Sequence, residues 1–143
     1  MVPRVRISAI LRDNANRVIM GNRKGGIIEP GKWQFPNTYL LHGEDFFECA
    51  ERAFLESTAL EVCATKVFSW TNDILEGGYC HDVTFFVLCE RKDETQLPEL
   101  QDVCQCEGWE WKSWGDVMEM GEKDLFLPVY NLLCSHPNVE GMF

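Results

Sequence analysis

An α/β sandwich with helices against a mixed sheet is the fold class that the sequence predicts. Three observations carry it. The length of 143 residues suits one domain and is enough to bury roughly two-thirds of the unfolded chain's surface without a disulfide or metal staple. A composition of 45% hydrophobic, 25% charged and 12% aromatic residues excludes disordered and collagen-like chains. The hydrophobic periodicity then alternates in the order strands, helix, strands, helix, with no internal repeat, linker or low-complexity segment, so residues 1–143 are read as one domain.

Each element has a local reason. Val5 to Leu11 nearly alternates, and Val18-Ile19-Met20 follows the turn-forming Asp13-Asn14-Ala15-Asn16, which predicts a hairpin. Gly25-Gly26 and Pro30-Gly31 punctuate a loop before the short apolar stretch Trp33-Gln34-Phe35. From Asp45 to Leu60 the period is helical, with Phe46, Ala50, Phe54 and Ser57 on one stripe and Phe47 and Cys49 beside it. Glu48, Arg52 and Glu56 stand four apart on one face of that helix and favour consecutive ion pairs. Val67 to Thr71 reads as a strand, and Asp82 to Glu90 as the strongest strand of the chain. Arg91 to Cys106 is a polar, acidic loop long enough to point to function or mobility. Trp109 to Trp111 alternates as a short strand, and Leu125 to Cys134 closes the chain as a helix ended by His136-Pro137.

Thirteen basic residues against twenty-three acidic ones give a formal charge of −10, which disfavours nucleic acid and anionic membranes as partners. The basic side chains Arg4, Arg6, Arg12, Arg17, Arg23, Lys24 and Lys32 nevertheless gather in the first quarter. The seven cysteines are odd in number and scattered, the pattern of reduced, buried thiols in a cytoplasmic protein. Cys104-x-Cys106 has no second pair at zinc spacing. No apolar run reaches a membrane span, and the N-terminus has no secretory apolar core.

Residues 31–62, from Gly31-Lys32-Trp33-Gln34-Phe35-Pro36 to Leu60-Glu61-Val62, resemble the Nudix box, G-x5-E-x7-R-E-U-x-E-E-x-G-U with U a bulky apolar residue. Glu44, Arg52 and Glu56 fall on polar box positions without a gap, and Phe54 and Leu60 fill the apolar ones. Tyr79 to Phe85 and Trp109 to Trp114 look like later strands of MutT-like enzymes, particularly those acting on purine and thiopurine nucleotides, so the likeness runs from about residue 4 to residue 133. The resemblance implies a Nudix α/β/α sandwich, and a homodimer is in keeping with it.

The box is degenerate. Asn37-Thr38 stands for its Gly-Gly pair, Ala53 for the glutamate after the arginine, Ser57 for the second paired glutamate and Ala59 for the last glycine. In the family, glutamates at the positions of Ala53, Glu56 and Ser57 hold magnesium or manganese with a backbone carbonyl from the position of Asn37. Hard divalent cations need several oxygen ligands, and one remaining glutamate makes at best a weak site. No cofactor is therefore expected on the first reading, with Glu56 the remaining metal ligand and Mg or Mn the ion on the alternative one.

The resemblance places Glu56 facing the cleft, where Ala53 and Ser57 would leave it among small and apolar neighbours with a raised pKa suited to acid–base work; the other reading pairs it with Arg52. His42 is the best-placed histidine for proton transfer, and Glu44 and Arg52 either join the chemistry or orient the helix and its loop, as they do in the family. Trp33, Phe35, Tyr39, Leu41 and Trp70, with His81 reaching in, are expected to line an apolar substrate cleft; Phe68 is assigned to the core. Three functions compete: metal-independent isomerisation, cyclisation or hydrolysis of a small, fairly apolar metabolite; cleavage of a nucleoside diphosphate-type substrate through a weakened Mg/Mn site; and ligand binding without catalysis.

Overall fold

The computed structural model describes residues 2–101 and 105–142. Its strands are β1 (Arg4–Leu11), β2 (Arg17–Arg23), β3 (Trp33–Gln34), β4 (Asn37–Tyr39), β5 (Val62–Leu75), β6 (Cys80–Arg91) and β7 (Cys106–Ser113). The helices are α1 (Phe46–Thr58), α2 (Trp114–Glu119) and α3 (Leu127–Ser135). A four-stranded mixed sheet has the order β4-β1-β6-β5, with β1 and β6 parallel, and a three-stranded antiparallel sheet has the order β3-β2-β7. This is the mixed-sheet α/β architecture read from the sequence.

Period two on β1 divides its side chains between two cores. Ile7, Ala9 and Leu11 join Cys49, Ala50 and Phe54 of α1 in one cluster. Ile10 joins Phe86 of β6 and Val129 and Leu132 of α3 in the other. The same alternation puts Arg4 and Arg6 on the face of Ile10, away from α1.

The predicted hairpin is not formed. A single bridge, Arg12 to Val18, joins the two segments, after which β1 and β2 diverge into different sheets. The turn itself is as read: the Asp13 carboxylate accepts from the backbone N–H groups of Ala15 and Arg17, and Asn16 adopts φ +59°. Each short segment finds its ladder elsewhere, β1 on β4 and β6, and β2 on β3 and β7.

The box helix is close to its expected span. Asp45 is its N-cap, accepting from the Glu48 N–H at 2.8 Å while the Glu48 carboxylate accepts from the Asp45 N–H at 3.2 Å, a complete capping box. Ala59, at φ +62°, turns the chain out of the helix one residue before Leu60. Ala53 lies on the buried face with Phe54, whereas Phe47 is 39% exposed. At the C-terminal end the Trp109 indole N–H donates to the Ser57 carbonyl at 2.9 Å, tying α1 to β7. Gly21 permits the β2–β7 approach, because a Cβ there would lie 2.7 Å from Cys106 Sγ.

Cys63 and Cys134 are exposed, which corrects the expectation of uniformly buried thiols, and Cys104 lies outside the described residues. No described helix is long and apolar enough to cross a membrane.

Candidate functional site

Loop and helix meet through one arginine. Arg52 Nε donates to Glu44 Oε2 at 2.7 Å, and Nη2 donates to Glu44 Oε1 at 3.0 Å and to the Tyr39 carbonyl at 2.9 Å. Its remaining nitrogen, Nη1, donates to Glu56 Oε1 at 2.7 Å. Glu44 Oε1 also accepts from the Leu41 N–H at 3.1 Å, closing the loop onto itself. The Arg52 hydrogen bonds hold the Glu44 carboxyl down at about 2, and Glu44 in turn raises the Arg52 guanidinium. Burial beside this pair pushes the Cys49 thiol up to about 12.

Glu56 is therefore an ion-paired surface residue, its side chain 48% exposed, and not an acid isolated among apolar neighbours. The physical reason is the (i, i+4) spacing from Arg52, which brings the two charged ends together on solvent-facing turns. The other acids of this segment are engaged too. Glu48 closes the helix cap, and Glu51 accepts from the Ala64 N–H at 2.9 Å.

The donor set does not fit the family's metal. Ala53 is 1% exposed and carries no ligand atom, Ser57 brings only a hydroxyl, and Glu56 is bound to Arg52. Among the described residues, no group of three or more His, Cys, Asp or Glu side chains is arranged to hold a metal ion.

A second constellation lies behind the loop. Arg6 Nε and Nη2 both donate to Asp82 Oδ2, at 3.0 and 2.9 Å, and Nη2 also donates to the Tyr39 hydroxyl at 2.8 Å. That hydroxyl in turn donates to Asp82 Oδ2 at 3.1 Å. The Arg4 guanidinium lies 4.1 Å from the centre of the Tyr39 ring, with its Nε 3.7 Å from Asp82 Oδ1. Burial raises the Tyr39 pKa, against the opposing pull of Arg6.

The expected lining divides. Tyr39, Leu41, His42 and Glu44 share one open cleft of about 440 Å³ with Arg4 and Leu40. Phe35 is fully buried, edge-on to Phe86 and Trp114, so it is core and not lining. Trp33 sits on the three-stranded sheet under Lys112, whose Nζ is 3.9 Å from its ring centre. Trp70 is 61% exposed on β5, and His81 on β6 is hydrogen-bonded to Asn72; neither belongs to this cleft. Strand order explains the dispersal: Trp33 lies on β3 of the three-stranded sheet, Trp70 on β5 at the far edge of the four-stranded sheet, and Phe35 between β3 and β4 in the core. Phe68 packs against His136, the residue that ends the closing helix; ring centres are 5.2 Å apart.

Arg6 and Asp82 were not singled out from sequence. A readable signal was present: Arg4 and Arg6 are two apart on a strand and so share a face, in a chain whose charge is otherwise acidic.

A family model described as "NUDIX domain" matches residues 2–130. The chain belongs to the Nudix family. Among solved structures it is similar to a NUDIX hydrolase from Nitrosomonas europaea, with a TM-score of 0.77 and 15% identity over 99% of this chain and 91% of that one. A MutT protein from Methanosarcina mazei Go1 gives 0.72 and 13% over 95% and 96%. An ADP-ribose pyrophosphatase from Streptococcus suis gives 0.64 and 15% over 92% and 87%. At these identities the likeness shows the shared fold.

Proposed function

We propose that this chain is a Nudix-fold enzyme that converts a small metabolite without a divalent cation held by the box helix. The observation that carries this reading is the engagement of the helix acids: Glu44 and Glu56 by Arg52, Glu48 by the cap and Glu51 by β5. With Ala53 and Ser57 at the remaining ligand positions, the helix works as a brace for the 39–44 loop.

The reacting groups are then sought on the loop side. Tyr39 is a phenol hydrogen-bonded to both Arg6 and Asp82, an arrangement that fixes its proton toward the carboxylate and its lone pairs toward the guanidinium. His42, exposed at the mouth of the same cleft, supplies an imidazole beside it. Glu56 acts through Arg52 as a positioning residue. Conversion in a cytoplasmic compartment and assembly as a homodimer belong to the same proposal.

A second reading, Mg/Mn-dependent cleavage of a diphosphate, is supported by what the relatives are called, the pyrophosphatase from Streptococcus suis among them. One turnover panel separates the two. Candidate metabolites and nucleoside diphosphates are incubated with the chain in EDTA, then with Mg²⁺ or Mn²⁺ in excess. Conversion in EDTA, lost in Tyr39→Phe, supports the first reading. Conversion only with added metal, lost in Glu56→Gln, establishes the second. Conversion in neither condition counts against both enzymatic readings.

A further inference from the structure

β5 is the longest strand of the fold, yet it forms one edge of the four-stranded sheet and pairs only with β6 among the described strands. Both of its register shifts, after Ala64 and after Val67, lie in its first half; from Ser69 to Leu75 it pairs with β6 residue for residue. Edge strands of monomeric proteins are blunted by short length, bulges, proline or charge, because their free N–H and C=O groups would otherwise recruit another strand. The Ser69–Leu75 half has no proline and no bulge. Its one charged side chain, Asp73, is fully buried and accepts from Thr71, Thr84 and Asn131, so it presents no charge to an incoming strand.

What this half offers to solvent is apolar. Trp70 is 61% and Ile74 58% exposed, two positions either side of the exposed Asn72 and so on one face. Opposite Trp70 on β6 stands Phe85, which stacks on Phe46 of α1 with ring centres 4.6 Å apart. Phe46 and Phe47 in turn share an open groove with the exposed Val67. An apolar strip thus runs from α1 to the sheet edge, beside unpaired backbone, in a chain of charge −10.

We propose that this edge is the interface between two copies of the chain, which pair their β5 strands antiparallel about a two-fold axis at Asn72. Three features select a second copy as the occupant. The pattern is self-complementary: with Asn72 opposite its own counterpart, Trp70 of each copy stands opposite Ile74 of the other, so one axis covers both exposed apolar side chains twice. The charge is complementary too. Lys66 and Glu76 are exposed at opposite ends of the segment, and an antiparallel partner brings each Lys66 to the end of the ladder that holds Glu76 of the other copy. The contact also closes on itself, because the opposite edge of the sheet is β4, only three residues long. Two four-stranded sheets then join into one. The inference rests on the functional reading only for the existence of a homodimer, to which it gives a surface, and not for the chemistry.

The test is gel filtration of the full chain with light scattering, with circular dichroism to verify folding. The wild type is a dimer. Trp70→Lys weakens it about a hundredfold or more, since the two-fold axis counts the loss of a central aromatic anchor twice. Ile74→Lys acts in the same direction and decides if Trp70→Lys fails to fold. A cross-link reads the register. In a chain whose exposed Cys63 and Cys134 are replaced by serine, Asn72→Cys gives a covalent dimer on air oxidation, and the parent chain does not. The inference is overturned if the wild type is monomeric, if the folded lysine variants dimerise like it, or if Asn72→Cys forms no more covalent dimer than its parent. A dimer indifferent to Trp70→Lys keeps the homodimer on another surface, and a monomer that converts a metabolite in EDTA keeps the chemistry without it.

Discussion

Removing Arg52 or Glu44 tests whether the retained box residues act as a brace. Arg52→Ala deletes the hydrogen bonds to both Glu44 oxygens, to the Tyr39 carbonyl and to Glu56. The Glu56 arm is solvated and contributes about 0.3–0.5 kcal/mol. The Glu44 and Tyr39 arms are more sheltered, with Arg52 and Glu44 side chains 25% and 13% exposed, so hydrogen bonds to a charged group count there with a discount for solvent. The total is about 2–3 kcal/mol, which for a domain of this size lowers Tm by roughly 8 °C. Glu44→Gln removes the charge and keeps the shape. The Glu44 carboxyl ordinarily titrates near 4.5 and is held at about 2 in the folded chain, so its contribution is complete above the ordinary value and disappears as pH falls toward the lower one. Urea unfolding from about pH 7 down to about pH 3 should therefore show wild type and Glu44→Gln converging through that window. A constant difference, or an Arg52→Ala protein as stable as wild type, would refute the brace.

The remaining predictions concern other parts of the molecule. Glu56→Gln should cost less than about 0.5 kcal/mol, read by urea unfolding, and leave turnover within about tenfold, whereas Tyr39→Phe abolishes turnover; the reverse order would return the chemistry to the box helix. Gly21→Ala pushes a methyl against Cys106 and Trp109 and should destabilise by about 1–3 kcal/mol in the same assay. Asp45→Ala removes the helix cap at a cost of about 1 kcal/mol, measured as a drop in the thermal midpoint.

Much of the fold could be read from the chain because local and tertiary signals agree there. Asp45 and Glu48 cap a helix whose apolar period faces a sheet, and Asp82 to Glu90 has no competing reading. The elements that were missed owe their structure to contacts remote in sequence. β4 exists because Asn37–Tyr39 pairs with Arg6 to Ser8 of β1, and its three residues have no periodicity of their own. Helix α2 is also short, although Ser113, whose side chain accepts from the Asp116 N–H at 3.0 Å, is a readable cap. For the site, adjacency along the chain was informative only within the box. Arg52 and Glu56 pair as their (i, i+4) spacing implies, whereas Glu48, expected as the other partner, closes the helix cap and Glu44 from the loop takes its place on Arg52. Tyr39, Arg6 and Asp82 are brought together by β1 lying between β4 and β6, a pairing that alternation alone does not specify. The same strand order sends Phe35, Trp33 and Trp70 to three separate surroundings, which is why one aromatic cleft was expected and is not found.

Titration of Mn²⁺ into the metal-free chain by calorimetry tests the central claim most directly. The account predicts no stoichiometric binding that depends on the box helix, with the same weak or absent heat in wild type and Glu56→Gln. Tight, one-to-one binding that Glu56→Gln abolishes would show that the helix still holds a cation, and would contradict it.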